Sequence, residues 1–140
     1  MIALDTNVLA RLLLRDDEAQ FQRVMAYLSQ PQVFTAPPTV FLELVWVLES
    51  YQLTRLDIAQ ALRGLLGLPN FRPQAEEALC DALSGYAQGM DFGDALHLAL
   101  SQNAKRFATF DKSMGKLATQ HGLAPTVEVL HGRVKQKGET

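Results

Sequence analysis

Short apolar runs alternate with longer segments of helical periodicity along this chain, and no hairpin turn signal joins neighbouring runs. The runs that predict strands lie at residues 2–4, 33–36, 68–72, 106–110 and 126–130. Parallel strands need a crossover between them, usually a helix, whereas strands joined by a tight hairpin run antiparallel. The alternation therefore predicts an α/β fold with a parallel sheet. The run at 68–72 stays open between a short strand and a linker, because it contains Pro69 and precedes Pro73.

Apolar residues at helical spacing predict seven helices between these strands. The predicted helices cover residues 6–15, 18–29, 39–51, 54–67, 74–87, 92–103 and 112–120. The third follows Pro37 and Pro38, and proline fits the first turn of a helix. This helix is apolar almost all round, so it should be buried or form an interface.

The chain has the length and composition of one globular domain. Of its 140 residues, 48% are apolar and 20% are charged, which is enough apolar material for a core. We predict one domain over residues 1–131 and a polar, frayed tail over residues 132–140. No apolar run approaches the roughly 20 residues that cross a bilayer, and Met1 to Leu4 lead straight into Asp5 without a signal core. These features predict a cytoplasmic protein with no membrane partner.

Cys80 is the single cysteine and cannot form an internal disulfide. It lies among helix-forming residues. This setting predicts a small buried apolar side chain rather than a reactive thiol.

The overall charge does not by itself indicate a nucleic-acid partner, because the formal net charge is −2 and the pI is about 5.9. Acidic metal ligands lower the net charge themselves, and binding can depend on a local basic patch. The residues that could form one are Arg11, Arg15, Lys105, Arg106, Lys112 and Lys116. For any single one of them, a solvated surface charge is the simpler interpretation.

Three aspartates are predicted at one edge of the sheet. Asp5 ends the first strand, Asp111 ends the strand at 106–110, and Asp94 opens the helix before it. Ligands of open α/β sheets bind beyond the carboxyl ends of the strands, so these carboxylates should lie along the same edge. Each also has a structural interpretation. Asp5 and Asp111 precede helices as N-caps do, and Asp91 with Asp94 has the spacing of a capping box.

Glu43 is different because it lies inside the apolar helix at 39–51. Its neighbours one turn away are the apolar residues Val40, Trp46 and Val47. Glu49, in contrast, is rotated by roughly 240° at 100° per residue. A carboxylate on a buried helix is unfavourable unless it is paired or binds a metal. A capping role does not explain this residue.

The four carboxylates together predict a metal site at Asp5, Glu43, Asp94 and Asp111. Carboxylates within a few ångströms repel, so they would not all stay ionised without a cation. Oxygen ligands suit Mg²⁺ or Mn²⁺, and no His/Cys cluster suits zinc. Two such ions about 4 Å apart could activate water and stabilise the leaving oxygen of a phosphodiester.

Polar residues near these carboxylates are candidates for supporting roles. Thr6, Asn7 and Thr109 flank the first and last aspartates and could orient carboxylates or metal-bound water. His97 is one turn from Asp94 on the same face. Its role stays open between a partner of the site, a substrate contact and a structural histidine.

Four motifs carry the acidic residues in order along the chain. They are Ile-Ala-Leu-Asp-Thr-Asn-Val-Leu, Phe-Leu-Glu-Leu-Val-Trp-Val-Leu, Asp-Phe-Gly-Asp-Ala-Leu-His-Leu-Ala and Ala-Thr-Phe-Asp. Together they resemble the PIN-domain family, and within it the VapC-type toxins of bacterial and archaeal toxin–antitoxin pairs. Each motif is weak alone, but the resemblance spans about residues 1–130.

The resemblance implies a single PIN-like domain with a parallel sheet of about five strands flanked by helices. It also implies Mg²⁺-dependent ribonuclease activity, with Mn²⁺ as a substitute. The family's catalytic and metal-binding positions fall on Asp5, Glu43, Asp94 and Asp111. Asp91 matches a position that is often acidic in this subgroup and would line the same pocket.

Partners follow from the same resemblance. They are an RNA substrate, a cognate antitoxin protein that silences the enzyme, and a second copy of the chain in a homodimer. The apolar helices near Trp46 and Tyr51 would suit the protein contacts. Transfer, ribosomal and messenger RNA all stay open as targets, because specificity depends on shape and surface contacts.

Other functional classes fit parts of the pattern. A phosphatase with Asp5 as nucleophile would need a second aspartate two residues later, where the chain has Asn7. A phospho-accepting receiver would not place Glu43 on a helix. A PIN nuclease that is not a toxin and a non-catalytic protein-binding module are the remaining alternatives.

Overall fold

Helices dominate the fold. The computed structural model describes residues 1–131, which contain seven helices and four short strands. The helices are α1 (Thr6–Leu14), α2 (Glu18–Leu28), α3 (Pro38–Ser50), α4 (Arg55–Leu66), α5 (Glu76–Ala87), α6 (Phe92–Leu100) and α7 (Lys112–Gln120). The strands are β1 (Ile2–Ala3), β2 (Phe34–Thr35), β3 (Arg106–Thr109) and β4 (Thr126–Val129). Each helix predicted from periodicity is present, with small shifts at its ends.

The strands of the described range form two separate parallel pairs. β1 is parallel to β2, and β3 is parallel to β4. The parallel direction confirms the prediction, but a single sheet of about five strands is not found in residues 1–131. β1 and β2 are each two residues long, and α1 and α3 begin three residues after the preceding strand ends. Little extended backbone is left for further pairing.

The run at 68–72 contributes one strand-like residue. Phe71 forms an isolated parallel bridge with Phe34. The Phe34 N–H donates to the Asn70 carbonyl at 2.8 Å, and the Arg72 N–H donates to the Phe34 carbonyl at 2.7 Å. Pro69 has no N–H to continue such a ladder. Of the two alternatives, the linker therefore describes most of this run.

α3 passes through the core. Phe41, Leu44 and Leu48 have no exposed surface, and burial of each such side chain stabilises the fold by about 1.5–3 kcal/mol. On the opposite side of the helix, Trp46 is 55% exposed and Tyr51, at its end, is 48% exposed. The helix is thus buried on one face, as predicted, and presents aromatic side chains to solvent on the other.

The prediction for Cys80 is wrong. Its side chain is exposed on α5, because Leu79 and Leu83 occupy the core-facing positions of that helix. Residue 80 follows Leu79 by about 100° of helical rotation, which turns it towards solvent.

No helix within residues 1–131 has the length and apolar character needed to span a bilayer. The cytoplasmic location stays a prediction. The predicted tail at 132–140 lies outside the described residues.

Candidate functional site

Asp5 and Asp111 are both helix N-caps. Asp5 Oδ1 accepts a hydrogen bond from the Thr6 N–H at 2.8 Å, at the start of α1. Asp111 Oδ1 accepts from the Met114 N–H at 3.1 Å, at the start of α7. The structural interpretation of these aspartates is therefore correct, and it does not remove the functional one. A cap uses one carboxylate oxygen, and both side chains stay exposed at the surface.

Asp91 and Asp94 lie together at the start of α6. Asp91 Oδ2 accepts from the Asp94 N–H at 3.0 Å, so Asp91 is the cap and Asp94 lies in the first turn. Partial burial raises the pKa of Asp94 above its ordinary value, and the charges of Asp91 and Asp111 raise that pKa further. His97, which is exposed one turn later, lowers it. The carboxylates of Asp91 and Asp111 thus lie close enough to Asp94 to disfavour its ionisation.

Glu43 is at the surface, so the expected burial of this carboxylate is wrong. The apolar side chains that surround it in the sequence point into the core, whereas Glu43 points towards the start of α1. There its Oε1 accepts a hydrogen bond from Thr6 Oγ1 at 2.8 Å. Thr6 was predicted to orient a carboxylate, and its hydroxyl directs Glu43 towards the start of α1, where Asp5 is the N-cap.

The predicted site residues form two groups rather than one closed set. Asp5, Thr6 and Glu43 make the first group, and the carboxylates of α6 and α7 make the second. α3 meets α6 at the residues that precede Glu43 and Asp94, since an added Cβ at Gly93 would lie 3.5 Å from Leu42 Cδ1. Within residues 1–131, however, no three His, Cys, Asp or Glu side chains lie close enough together to hold a metal ion. The metal-ligand roles therefore stay predictions.

The donor chemistry of these groups fits a hard divalent cation. All the candidate ligands are carboxylate oxygens, which Mg²⁺ and Mn²⁺ prefer. The raised pKa of Asp94 reflects, after burial, repulsion by Asp91 and Asp111. A bound cation would relieve that repulsion. The ligand type and the electrostatics agree with a metal site. Within residues 1–131, however, the acidic side chains do not lie close enough together to form one.

The other accessory residues are placed as follows. Thr109 Oγ1 accepts from the Asp111 N–H at 3.0 Å and so orients the segment that carries Asp111. Asn7 is exposed on the first turn of α1. The His97 carbonyl accepts a hydrogen bond from Ser101 Oγ at 2.7 Å. This bond uses the backbone of His97 and not its imidazole ring.

Half of the predicted basic patch is neutralised by local ion pairs. The pairs are Arg11–Asp16, Arg15–Glu18 and Arg106–Glu128. In the described part of the chain, Lys105, Lys112 and Lys116 form no ion pair with an acidic residue. Lys112 and Lys116 lie one turn apart on the exposed side of α7, directly after Asp111.

Arg55 and Tyr86 belong to the surroundings of the site, and no local sequence pattern indicates either. Arg55 Nη1 donates to the carbonyls of Tyr86 and Met90, immediately before Asp91. The Tyr86 hydroxyl donates to Glu49 at 2.8 Å. These contacts join residues more than 30 positions apart, so local periodicity does not reveal them.

A comparison with known families matches residues 2–120 to the PIN domain. The matched range includes Asp5, Glu43, Asp94 and Asp111, each within its acidic motif. No curated protein matches the chain significantly. PIN domains are generally metal-dependent nucleases, and they act on nucleic acid. Because the match covers most of its length, this chain belongs to the PIN-domain family.

Proposed function

We propose that this protein is an Mg²⁺-dependent endoribonuclease and the toxin of a toxin–antitoxin pair. The observation that carries the proposal is the PIN-domain match, which includes all four acidic motifs. The effect of Asp91 and Asp111 on the pKa of Asp94 supports it, because it indicates that carboxylates at the starts of α6 and α7 lie near one another. Mn²⁺ substitutes for Mg²⁺ in this proposal.

Asp5, Glu43, Asp94 and Asp111 would hold the cation. When bound, it supplies an activated water and neutralises charge that develops on the phosphodiester. The chain's own contribution is orientation. The helix N–H groups bound by Asp5 and Asp111 restrict the rotation of both carboxylates, and the Thr6 hydroxyl restricts Glu43. Restricted ligands lose less conformational entropy when they bind a cation.

RNA binding is proposed to depend on the lysines beside the carboxylates. Lys112 and Lys116 are exposed on α7, and they pair with no acidic residue within the described range. Each phosphate contact of this kind adds affinity that falls with salt concentration.

The RNA target is open between transfer, ribosomal and messenger RNA. Mapping the cleavage sites in total cellular RNA after induction would identify it.

Two apolar surfaces support protein partners. A groove of about 380 Å³ opens between α1, α2 and α4, and its walls include Leu12, Leu13 and Met25. A short amphipathic antitoxin helix could bury its apolar face in such a groove.

The exposed side chains of Trp46 and Tyr51 form the second surface, which we assign to the homodimer. Trp46→Ala should then shift the protein from dimer to monomer in sedimentation experiments.

The central test uses Asp94→Asn in protein freed of antitoxin. Wild-type protein should cleave RNA with Mg²⁺ or Mn²⁺, and Asp94→Asn should abolish both cleavage and growth arrest. Asp17→Asn is the matched control, because Asp17 caps α2 through the Gln20 N–H at 3.0 Å and lies outside the acidic groups. Retained cleavage in Asp94→Asn, or an equal loss in Asp17→Asn, would overturn the proposal.

A non-catalytic protein-binding module is the second candidate function. The observation that favours it is the spacing of the carboxylates, since no three acidic side chains within residues 1–131 form a metal-binding group. The two candidates differ in metal response. A nuclease of this kind should be stabilised by about 2.7 kcal/mol at an Mn²⁺ concentration 100 times its Kd, whereas a binding module should show no thermal shift. A short antitoxin gene beside this one would distinguish a toxin from another PIN nuclease.

A further inference from the structure

The turn between α5 and α6 presents Asp91 and Asp94, and it is closed by a Schellman motif. Gly89 has a φ of +111°, in the region that favours glycine. Its N–H donates to the Tyr86 carbonyl at 3.0 Å, and the Met90 N–H donates to the Gly85 carbonyl at 3.0 Å. Asp91 follows directly as the cap of α6. The position of this turn therefore sets the position of both carboxylates.

Arg55 binds the turn from α4, of which it is the first residue. Its Nη1 donates to the Tyr86 carbonyl at 2.8 Å and to the Met90 carbonyl at 2.7 Å. Hydrogen bonds from a charged donor are stronger than those from a neutral one. The guanidinium thus ties the last turn of α5 to the residue that precedes Asp91.

The ring of Tyr86 extends this connection to α3. The Arg55 guanidinium lies 4.4 Å from the ring centroid, a cation–π distance. Tyr86 is 1% exposed, and its hydroxyl donates to Glu49 Oε2 at 2.8 Å. Its ring also packs edge-on against Phe92, the first residue of α6, with centroids 5.8 Å apart. One buried ring therefore connects the helix that carries Glu43 with the turn before Asp94.

We propose that Arg55 is a positioning residue that fixes Asp91 and Asp94 relative to Glu43. This inference rests on the proposed metal-dependent nuclease, because it requires these carboxylates to act together. The guanidinium contacts two backbone carbonyls and a ring, so its effect on the carboxylates passes through the turn. Without it, the Met90 carbonyl loses its charged donor and the turn loses its tie to α4. Loss of a residue bonded directly to a metal ligand typically lowers metal affinity by about 10–100-fold, and we expect an indirect contact of this kind to act towards the lower end of that range.

The test compares Arg55→Gln and Arg55→Lys with Arg63→Gln. Arg63 lies on the same helix and donates to Ser84 Oγ at 3.5 Å, so it is a matched control for loss of a cation from α4. The Kd for Mn²⁺ is measured by calorimetry well below the unfolding temperature. Amide hydrogen exchange at residues 89–95 is measured without metal, and kcat and KM are measured with RNA.

We expect Arg55→Gln to raise the Kd for Mn²⁺ about tenfold or more, to speed exchange at residues 89–95, and to lower kcat with little change in KM. Arg55→Lys should recover part of the affinity, because an ammonium can still donate to a carbonyl. Arg63→Gln should match wild type in every measurement. Tyr86→Phe deletes only the hydroxyl bonded to Glu49, and it should raise the Kd by a smaller factor. It serves as the second variant if Arg55→Gln does not fold.

Unchanged Mn²⁺ affinity in Arg55→Gln, beside a loss of binding in Asp94→Asn, would overturn the positioning role and leave the proposed function standing. Wild-type protein that binds no Mn²⁺ would overturn the proposed function instead. In that case unchanged exchange at residues 89–95 in Arg55→Gln would also show that Arg55 does not hold the turn.

Discussion

Thr6 Oγ1 donates to Glu43 Oε1 across 2.8 Å, and this hydrogen bond joins the first residue of α1 to the middle of α3. Thr6 is 7% exposed, whereas Glu43 lies at the surface. An exposed glutamate otherwise moves among many rotamers. The bond directs the Glu43 carboxylate towards the start of α1, where Asp5 is the N-cap.

Thr6→Val removes the hydroxyl and keeps the branched shape of the side chain. We expect RNA cleavage to fall about tenfold, because Glu43 loses its orientation. The free energy of unfolding should fall by about 1 kcal/mol, the ordinary contribution of one hydrogen bond. Thr6→Ser, which keeps the hydroxyl, should cleave near the wild-type rate. Equal kcat for Thr6→Val and wild type at saturating Mn²⁺ would show that the bond does not support catalysis.

Asp94 has a raised pKa in the folded protein, first because of burial and then because of Asp91 and Asp111. Well below the ordinary pKa of 3.8, the residue is protonated in both the folded and the unfolded chain, and it has no electrostatic effect on stability. As the pH rises through that value, the unfolded chain releases its proton first. The folded state then loses stability until Asp94 also ionises, and the loss is constant at higher pH.

Asp94→Asn should therefore unfold at a higher temperature than wild type at neutral pH in EDTA. The difference should shrink as the pH falls below about 4. Added Mn²⁺ should reverse the order, because only wild type gains the metal. Asp17→Asn should be about as stable as wild type, since an asparagine caps a helix as well as an aspartate does. Thermal unfolding checks both variants. A less stable Asp94→Asn in EDTA at neutral pH would contradict the repulsion.

Features that depend on a few neighbouring residues could be predicted from the sequence. Pro37 and Pro38 predict the start of the third helix, and α3 begins at Pro38. The carboxylates of Asp5 and Asp111 were expected either as caps or as ligands, and they are caps with one oxygen to spare. Such signals need only local geometry, because each donor and acceptor lie within three positions of each other.

Contacts between distant segments could not be predicted. Glu43 was expected on a buried face, because a helix of apolar residues does not reveal which turn meets solvent. Its partner Thr6 is 37 positions away, and Arg55 reaches carbonyls 31 and 35 positions away. The division of the strands into two pairs also depends on where β1 and β2 end, and these ends follow from tertiary packing.

Cys80 should react slowly although it is exposed. Partial burial raises the pKa of its thiol, and the charges of Glu76 and Asp81 raise that pKa further. The thiolate, which is the nucleophile, is therefore scarce at neutral pH. We expect alkylation by iodoacetamide to be slower than in the urea-unfolded chain, and Asp81→Asn to speed it. Mass spectrometry over a pH series measures the rate. Equal rates in the folded and unfolded chains would show that these surroundings do not control the thiol.

Gly115 lets α7 pack directly on β4, because an added Cβ would overlap Val129 Cγ2. We expect Gly115→Ala to lower the free energy of unfolding by about 1–3 kcal/mol, as overpacking does. Cleavage should fall as well, since α7 begins directly after Asp111. Gly64→Ala is the matched control, because its added Cβ meets nothing within 4 Å. It should stabilise the protein by about 0.5–1 kcal/mol. Urea denaturation measures both variants, and a stabilising Gly115→Ala would show that α7 can move away from β4.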